Sequence, residues 1–202
     1  MRKIYLLRHG QSLGNENKII QGQMNTELSK KGREQAYDIA KRFDIFKIDK
    51  IYTSNLSRAE ETAQIIGSEI NIDYEIVPEF IELSFGNWEG LDFDKVKSKY
   101  RDDFELWKKS PHKFNKDGFE GIETAKNRMI RGLDRITKED GLENILIVSH
   151  GSAIKSMIIG LLEWDNSAYK NMVMANTGLS LIEKGDYNTI LRFYNDYSHL
   201  RV

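Results

Sequence analysis

The sequence has 202 residues, 40% of them hydrophobic, which is enough for one ordinary globular domain spanning residues 1–202. The formal net charge of -1 argues against nucleic acid as a partner, and no apolar run approaches the roughly 20 residues that cross a bilayer. The absence of cysteine excludes disulfides, thiolate catalysis and thiolate metal ligands, and it agrees with the reducing cytoplasm in which we expect the protein.

Two short apolar segments, residues 4–7 and 145–148, predict buried strands. The first ends at Arg-His-Gly and the second at Ser-His-Gly, so a glycine turn follows each strand. Between them, apolar residues at helical spacing predict one helix around residues 36–43 and another around residues 59–66. Ser29 is suited to cap the first of these helices.

The rest of the chain continues this alternation of strands and helices. Further elements are predicted over residues 51–53, 74–77, 122–136, 153–162, 178–183 and 189–194. The alternation implies parallel pairing, and the last two segments surround a Gly-Asp turn. We therefore predict an α/β fold of three layers, in which helices flank a mostly parallel central sheet that ends in a C-terminal antiparallel edge hairpin. That exposed edge makes a homodimer one predicted state.

The segment from about residue 91 to residue 120 departs from the strand-helix rhythm. It mixes lysines and acids with Phe93, Tyr100, Phe104 and Trp107. Such a composition is typical of a helical lid over a pocket, and equally of a solvated helical excursion with aromatic residues packed beneath it. We treat the segment as a lid or insertion within a single domain.

Two histidines and two arginines form the candidate anion site. His9 and His150 directly follow predicted strands, and the carboxyl ends of parallel strands meet at one edge of a sheet. Arg8 precedes His9, while Arg58 stands near a predicted helix N-terminus, where backbone N–H groups favour an anion. A guanidinium group binds a phosphoryl group bidentately. Taken singly, each residue is as typical of a turn or a surface ion pair.

Five ordered segments resemble the histidine phosphatase, or phosphoglycerate mutase-like, superfamily. They are Leu-Arg-His-Gly-Gln-Ser at 7–12, Leu-Ser-Lys-Lys-Gly at 28–32, Ser-Asn-Leu-Ser-Arg-Ala at 54–59, Glu-Leu-Ser-Phe-Gly-Asn-Trp-Glu-Gly at 82–90 and Ser-His-Gly at 149–151. The resemblance extends from residue 4 through the final hairpin and favours the phosphatase branch.

This resemblance implies a role for each matching residue. His9 is implied as the phosphoryl acceptor, with Arg8, Arg58 and His150 around the transferring group and Glu82 as proton donor and later base. The residues implied to contact the substrate are Asn15, Gln21, Gly22 and Gly151. The implied activity is a metal-independent phosphatase, a phosphoric monoester hydrolase that acts through phosphohistidine on a small phosphorylated metabolite and needs no cofactor.

The sequence leaves three alternative functions open. A phosphoglycerate mutase is disfavoured because the chain is compact and lacks a paired-arginine segment. Ile81, placed where many relatives have a polar or basic residue, also gives no reason to expect an acidic substrate group on that side. A catalytically inactive phospho-ligand binder is disfavoured because His9 and Glu82 are both present. A metal site on the two histidines lacks a third ligand, and the arginines would repel a cation.

Overall fold

The computed structural model describes residues 1–138 and 141–200, and that part of the chain is built on a sheet of six strands. The strands, β1 to β6 in chain order, have the bounds Arg2–Arg8, Lys50–Thr53, Tyr74–Ile76, Asn144–Ser149, Leu179–Lys184 and Thr189–Asp196. They lie in the order β3-β2-β4-β1-β5-β6. The first three neighbouring pairs are parallel, whereas β5 pairs antiparallel with β1 and β6. The predicted parallel sheet with an antiparallel edge hairpin is confirmed.

Helices cover the sheet and extend beyond it. The α-helices α1 to α7 have the bounds Leu13–Glu16, Lys30–Phe46, Ser57–Ile70, Phe93–Lys99, Arg101–Lys109, Ile122–Ile136 and Gly151–Leu161. Short 3-10 helices lie at Pro78–Phe80, Gly86–Trp88, Pro111–Lys113 and Asn166–Asn171. None of the described helices combines the length and the apolar composition needed to cross a membrane.

The three predicted layers follow from the alternation of side chains along β1. Ile4 and Leu6 pack in one buried cluster with α6 and α7, whereas Tyr5 and Leu7 pack in another with α2 and α3. Successive side chains of a strand point to opposite faces, so one apolar strand supplies both cores. Full burial of one such aliphatic side chain contributes about 1.5–3 kcal/mol to the free energy of unfolding.

Helix α2 begins where the sequence predicts its cap. The Ser29 hydroxyl oxygen accepts a hydrogen bond from the Gly32 backbone N–H at 3.1 Å, which satisfies one donor of the first turn. The same hydroxyl group donates to the Gln11 side-chain oxygen at 2.8 Å. The cap therefore also ties the start of α2 to the chain that follows β1.

The strand register brings the two histidines to the same end of the sheet. Opposite Arg8 of β1 lies Ser149 of β4, so His9 and His150 both follow this aligned pair. The His9 N–H donates to the Ser149 carbonyl oxygen at 3.0 Å and continues the pairing beyond the strands. On the other side of β4, the Ser54 N–H donates to the Val148 carbonyl oxygen at 3.2 Å. The turns that follow β1, β2 and β4 therefore meet at the carboxyl end of the parallel strands.

The irregular segment contains helices α4 and α5, which pack over a mainly aromatic cluster. Its buried members are Ile20, Trp88, Val96 and Phe114. Partly buried residues packed against them include Phe85, Tyr100, Phe104, Trp107 and Phe119. The segment thus has aromatic residues packed beneath it, as one of the two sequence interpretations expects. Its motion as a lid, the single domain over residues 1–202 and a homodimer through the edge strand β6 stay predictions.

Candidate active site

A cavity of about 550 Å³ opens where β1 and the start of α3 meet. Most of the residues predicted to form the site line it, namely Arg8, His9, Asn15, Gln21, Gly22, Arg58 and Glu82. His150 lies behind His9, with ring centroids 5.2 Å apart and an interplanar angle of 60°. Gly151 is the first residue of α7, and a Cβ atom there would lie 3.5 Å from Arg8 Nε. The site is therefore assembled from four distant parts of the chain.

His9 is held as a neutral imidazole with a defined tautomer. Its Nδ1–H donates to the Gly10 carbonyl oxygen at 2.6 Å, and its Nε2 accepts from Arg58 Nε–H at 3.2 Å. The side chain is only 2% exposed. Burial, followed by the charges of Arg58 and Arg8, lowers the pKa of His9 well below its usual value. The lone pair therefore sits on Nε2 at neutral pH.

The glycine after His9 is required by a close backbone approach. A Cβ atom on Gly10 would overlap the carbonyl oxygen of Gly32 in the first turn of α2. With no side chain at residue 10, the turn after β1 packs directly against this helix. The Gly10 carbonyl oxygen is then in place to fix the His9 ring.

His150 is fully buried and has one unpartnered nitrogen. Its Nε2 lies 2.8 Å from Ser54 Oγ, which itself accepts a hydrogen bond from the Leu56 N–H at 3.2 Å. We assign the Ser54 hydroxyl as the donor to Nε2, which places the ring proton on Nδ1. In the described structure Nδ1 is buried without a hydrogen-bond partner. Burial and the nearby cations lower the pKa of His150 well below its usual value.

Arg8 also has a buried donor, its Nε–H group, without a hydrogen-bond partner among the described residues. Its Nη1–H donates to the Met174 carbonyl oxygen at 2.6 Å, whereas its Nε is buried and makes no hydrogen bond with any described residue. Its side chain extends toward α7, while that of His9 reaches Arg58 on α3. The turn after β1 therefore brings both neighbours to the cavity, as the sequence requires.

Arg58 is 1% exposed and is held by two carbonyl oxygens. Its Nη1–H donates to Met24 O and its Nη2–H to Gly22 O, both at 2.7 Å. Burial lowers the pKa of Arg58 to about 10, so the guanidinium stays charged at neutral pH. Gly22 has φ +50°, and a Cβ atom there would overlap the Glu89 carboxylate. Glycine therefore suits position 22, and its carbonyl oxygen helps to orient Arg58.

The amide side chains of Asn15 and Gln21 are oriented through their oxygens. Asn15 Oδ1 accepts from the Ser12 N–H at 3.2 Å and from Asn176 Nδ2 at 3.0 Å. Gln21 Oε1 accepts from the Ser12 hydroxyl at 2.7 Å and also from the Thr26 hydroxyl. Each oxygen is thus engaged, which leaves the NH₂ groups to donate to a ligand.

The Glu82 carboxylate is bound at the N-terminus of α7. Its Oε1 accepts from the Leu83 and Ala153 N–H groups, both at 2.9 Å, and its Oε2 accepts from the Ser152 N–H at 3.2 Å. Helix N-termini stabilise negative charge through these free N–H groups and the helix dipole. The carboxylate is therefore fixed beside the cationic groups and lines the same cavity.

The structure adds residues to which the sequence reasoning assigned no role. Ser54 orients His150, and Asn176 Nδ2 donates to the His9 carbonyl oxygen at 3.2 Å as well as to Asn15. Lys155 lines the cavity. It is the one charged residue in the sequence of α7, and that isolated charge is a signal that could have drawn attention to it. Nothing in the sequence singles out Asn176, which lies in a loop far along the chain.

Comparison with known proteins agrees with this geometry. The model of the histidine phosphatase superfamily (branch 1) matches residues 4–197. Phosphoserine phosphatase 1 of Hydrogenobacter thermophilus is 30% identical over 200 residues, which cover 99% of this chain and 95% of the relative. Among solved structures, Bacillus stearothermophilus YhfR superposes with a TM-score of 0.92 at 26% identity, over 98% of this chain and 99% of the other.

A second solved structure includes a ligand. It is a histidine-to-alanine mutant of the phosphoserine phosphatase of Entamoeba histolytica in complex with phosphoserine. Its TM-score is 0.85 at 30% identity, and the match covers 100% of both chains.

Proposed function

The chain belongs to the histidine phosphatase superfamily and is a phosphatase, and we propose that it hydrolyses small phosphomonoesters through a phosphohistidine on His9, without a metal ion. One observation carries the proposal: the neutral Nε2 of His9 lies in a buried site where Arg8 Nε and His150 Nδ1 have no hydrogen-bond partner among the described residues. Buried donors cost free energy unless an acceptor meets them. The oxygens of a phosphoryl group are such acceptors.

The first chemical step transfers the phosphoryl group to His9. A bond forms between Nε2 and phosphorus while the bond from phosphorus to the leaving oxygen breaks. When the phosphoryl group binds, Arg58 Nε–H, which donates to Nε2 in the structure, donates to a phosphoryl oxygen instead. Negative charge on the equatorial oxygens is then met by the donors of Arg8, Arg58 and His150.

Glu82 supplies and recovers one proton. As a carboxylic acid it protonates the leaving alkoxide, and as a carboxylate it then takes a proton from the water that attacks phosphorus. The second step breaks the bond between Nε2 and phosphorus, releases inorganic phosphate and restores the acid. Three backbone hydrogen bonds hold the Glu82 carboxylate in place for both steps.

Small phosphorylated metabolites are the proposed substrates. The support is the name of the relative, phosphoserine phosphatase 1, and the phosphoserine bound to the solved phosphoserine phosphatase mutant. Transfer of the phosphoryl group to a second hydroxyl, as in a mutase, shares the first step and differs only in the acceptor. A mutase assay on 3-phosphoglycerate beside a phosphate-release assay separates these activities. Cytoplasmic location and a homodimer stay predictions.

Chelation is expected to leave turnover unchanged. Among the described residues no group of three or more His, Asp or Glu side chains is placed to hold a metal ion, and the cations of the site repel one. After exhaustive dialysis against EDTA, phosphate release should stay at its original rate. A zinc-dependent phosphatase carried through the same buffers is the control. Loss of activity that zinc or magnesium restores would contradict the proposed mechanism.

Replacement of Glu82 with Gln is expected to separate substrates by their leaving groups. The amide cannot protonate an alkoxide, so kcat/KM for an alkyl phosphate should fall by about 10²–10⁴-fold. The value for p-nitrophenyl phosphate should fall by about tenfold or less, since that leaving group needs no proton. Steady-state phosphate release from both esters measures the difference.

The matched control for this variant is Glu89→Gln. The Glu89 carboxylate accepts a hydrogen bond from the Phe85 N–H at 2.8 Å and so supports the segment that contains Glu82. Its replacement should slow both esters to the same extent. If Glu82→Gln also slows both esters equally, Glu82 is not the proton donor.

A further inference from the structure

One cation in the cavity, Lys155 of α7, is not used by the proposed chemistry. Its Nζ lies 3.5 Å from the centroid of the Tyr169 ring, a cation–π contact. This ammonium group is half-buried and has three hydrogens to donate. No described residue accepts a hydrogen bond from it or forms an ion pair with it. A desolvated, unpaired ammonium group is a strong site for an anion.

The position of Lys155 places it on the leaving-group side of the cavity. Glu82 is bound by the Ser152 and Ala153 N–H groups, and Lys155 follows these residues within one turn of α7. The acid must lie next to the leaving oxygen. Glu82 and Lys155 both line the cavity, and the negative charge of Glu82 raises the pKa of Lys155, against the larger lowering by burial. Lys155 therefore meets the part of the substrate that departs with that oxygen.

Several aromatic residues line the cavity together with Lys155. Phe85, Trp107 and Tyr169 line the cavity with it, and Lys18, the other lysine of the lining, is exposed. The phosphoryl group already has Arg8, Arg58 and His150. A second anionic group on the substrate would find its buried counter-charge at Lys155.

We propose that Lys155 binds a carboxylate on the leaving group, so that the substrates are phosphomonoesters of small hydroxy or amino acids. This inference rests on the proposed function and adds a specificity-determining residue to it. Ile81 gives no sign of such a group on its side of the site, and the structure supplies the counter-charge from another element, α7. An ammonium–carboxylate pair in a partly desolvated cavity also fixes the substrate relative to His9.

The test uses Lys155→Met and two pairs of esters that differ at the carboxylate. The pairs are 3-phosphoglycerate with glycerol 3-phosphate, and phosphoserine with phosphoethanolamine. The variant should raise KM for the carboxylate ester of each pair by about 10- to 100-fold, the loss expected for a hydrogen bond between charged groups. KM for the other ester should change by about threefold or less. Lys155→Arg should restore much of the preference.

Lys18→Met controls for the loss of one positive charge from the cavity rim. Its effect should be similar for both members of a pair, because Lys18 is exposed and screened. A preference that falls as far in Lys18→Met as in Lys155→Met would mean that net charge alone selects the substrate, and this would overturn the inference.

The wild-type enzyme provides a second test that needs no variant to fold. The groups that face Lys155 are Glu82, Arg8 and Tyr169; burial lowers the pKa of Lys155 to about 8 and raises that of the Tyr169 phenol, which stays neutral. The ammonium charge is present below this pKa and is lost above it. The ratio of kcat/KM for 3-phosphoglycerate to that for glycerol 3-phosphate should therefore fall as the pH rises through about 8. In Lys155→Arg the ratio should stay flat.

Failure of this inference and failure of the proposed function give different results. If only the inference is wrong, the wild type hydrolyses the esters without preference for a carboxylate, or Lys155→Met changes both members of a pair equally. If the proposed function is wrong, the wild type releases no phosphate from any of the four esters, or turnover does not depend on His9.

Discussion

Replacement of His9 with Ala is expected to lower kcat/KM for a phosphomonoester by about 10⁴-fold or more, because it removes the nucleophile. Substrate binding should survive, because the donors of Arg8, Arg58 and His150 remain around the phosphoryl group. Phosphate release from phosphoserine measures the first effect, and calorimetric titration with phosphoserine measures the second. Binding without turnover separates loss of the nucleophile from loss of the fold.

The control for this experiment is His112→Ala. His112 lies in the short helix Pro111–Lys113 and does not line the cavity, so its replacement should leave kcat/KM unchanged. If the His9 variant keeps activity within about tenfold of the wild type, water attacks phosphorus directly and no phosphohistidine is needed.

Replacement of Arg58 with Met is expected to lower kcat/KM by about 10²–10³-fold, the usual cost of removing one preorganised donor from a site of developing charge. A second effect follows from the pKa of His9. Arg58 helps to hold that pKa low, so its removal raises it and protonates Nε2 at mildly acidic pH. The acid limb of the profile of kcat/KM against pH should therefore move to higher pH, which steady-state rates across that range measure.

The matched variant Arg58→Lys separates these two effects. Lysine keeps the charge and loses the planar fork that donates to Gly22 and Met24. Its kcat/KM should fall, while the acid limb should stay close to that of the wild type. An acid limb that does not move in Arg58→Met would contradict the electrostatic role assigned to this residue.

The features that repeat along the sequence predict the architecture well. Apolar segments before His9 and His150, together with the alternation of strands and helices, are sufficient to place both imidazoles at one sheet edge. The parallel register of β1 and β4 then leaves little freedom, because the opposition of Arg8 and Ser149 makes the following histidines neighbours. Periodicity predicts these elements because it arises from burial on one face.

The finer geometry of the site depends on contacts between distant residues and could not be predicted in this way. Glu82 was expected from the motif, but its binding by the N–H groups of Ser152 and Ala153 depends on how α7 docks against the preceding loop. Asn176 reaches His9 and Asn15 across most of the chain length. Neither contact leaves a local pattern, since each joins a single side chain to a remote partner.

The proposed substrate preference likewise depends on a contact between distant residues that the sequence alone does not reveal. Ile81 stands beside the acid and, from sequence alone, argues against an acidic substrate group there. Lys155 supplies a positive charge from α7, and its proximity to Glu82 appears only when the helix is docked. Two residues that are distant along the chain therefore bear on the same specificity, and only the fold relates them.

The most direct test of the account is to trap the phosphoryl group on the protein. Wild-type enzyme is mixed briefly with a labelled phosphomonoester, quenched in base and digested, and the modified peptide is located by mass spectrometry. Acid-labile, base-stable label is expected on His9 alone, and no label is expected in His9→Ala. Label on another residue, or none in the wild type while burst kinetics show an accumulating intermediate, would contradict it.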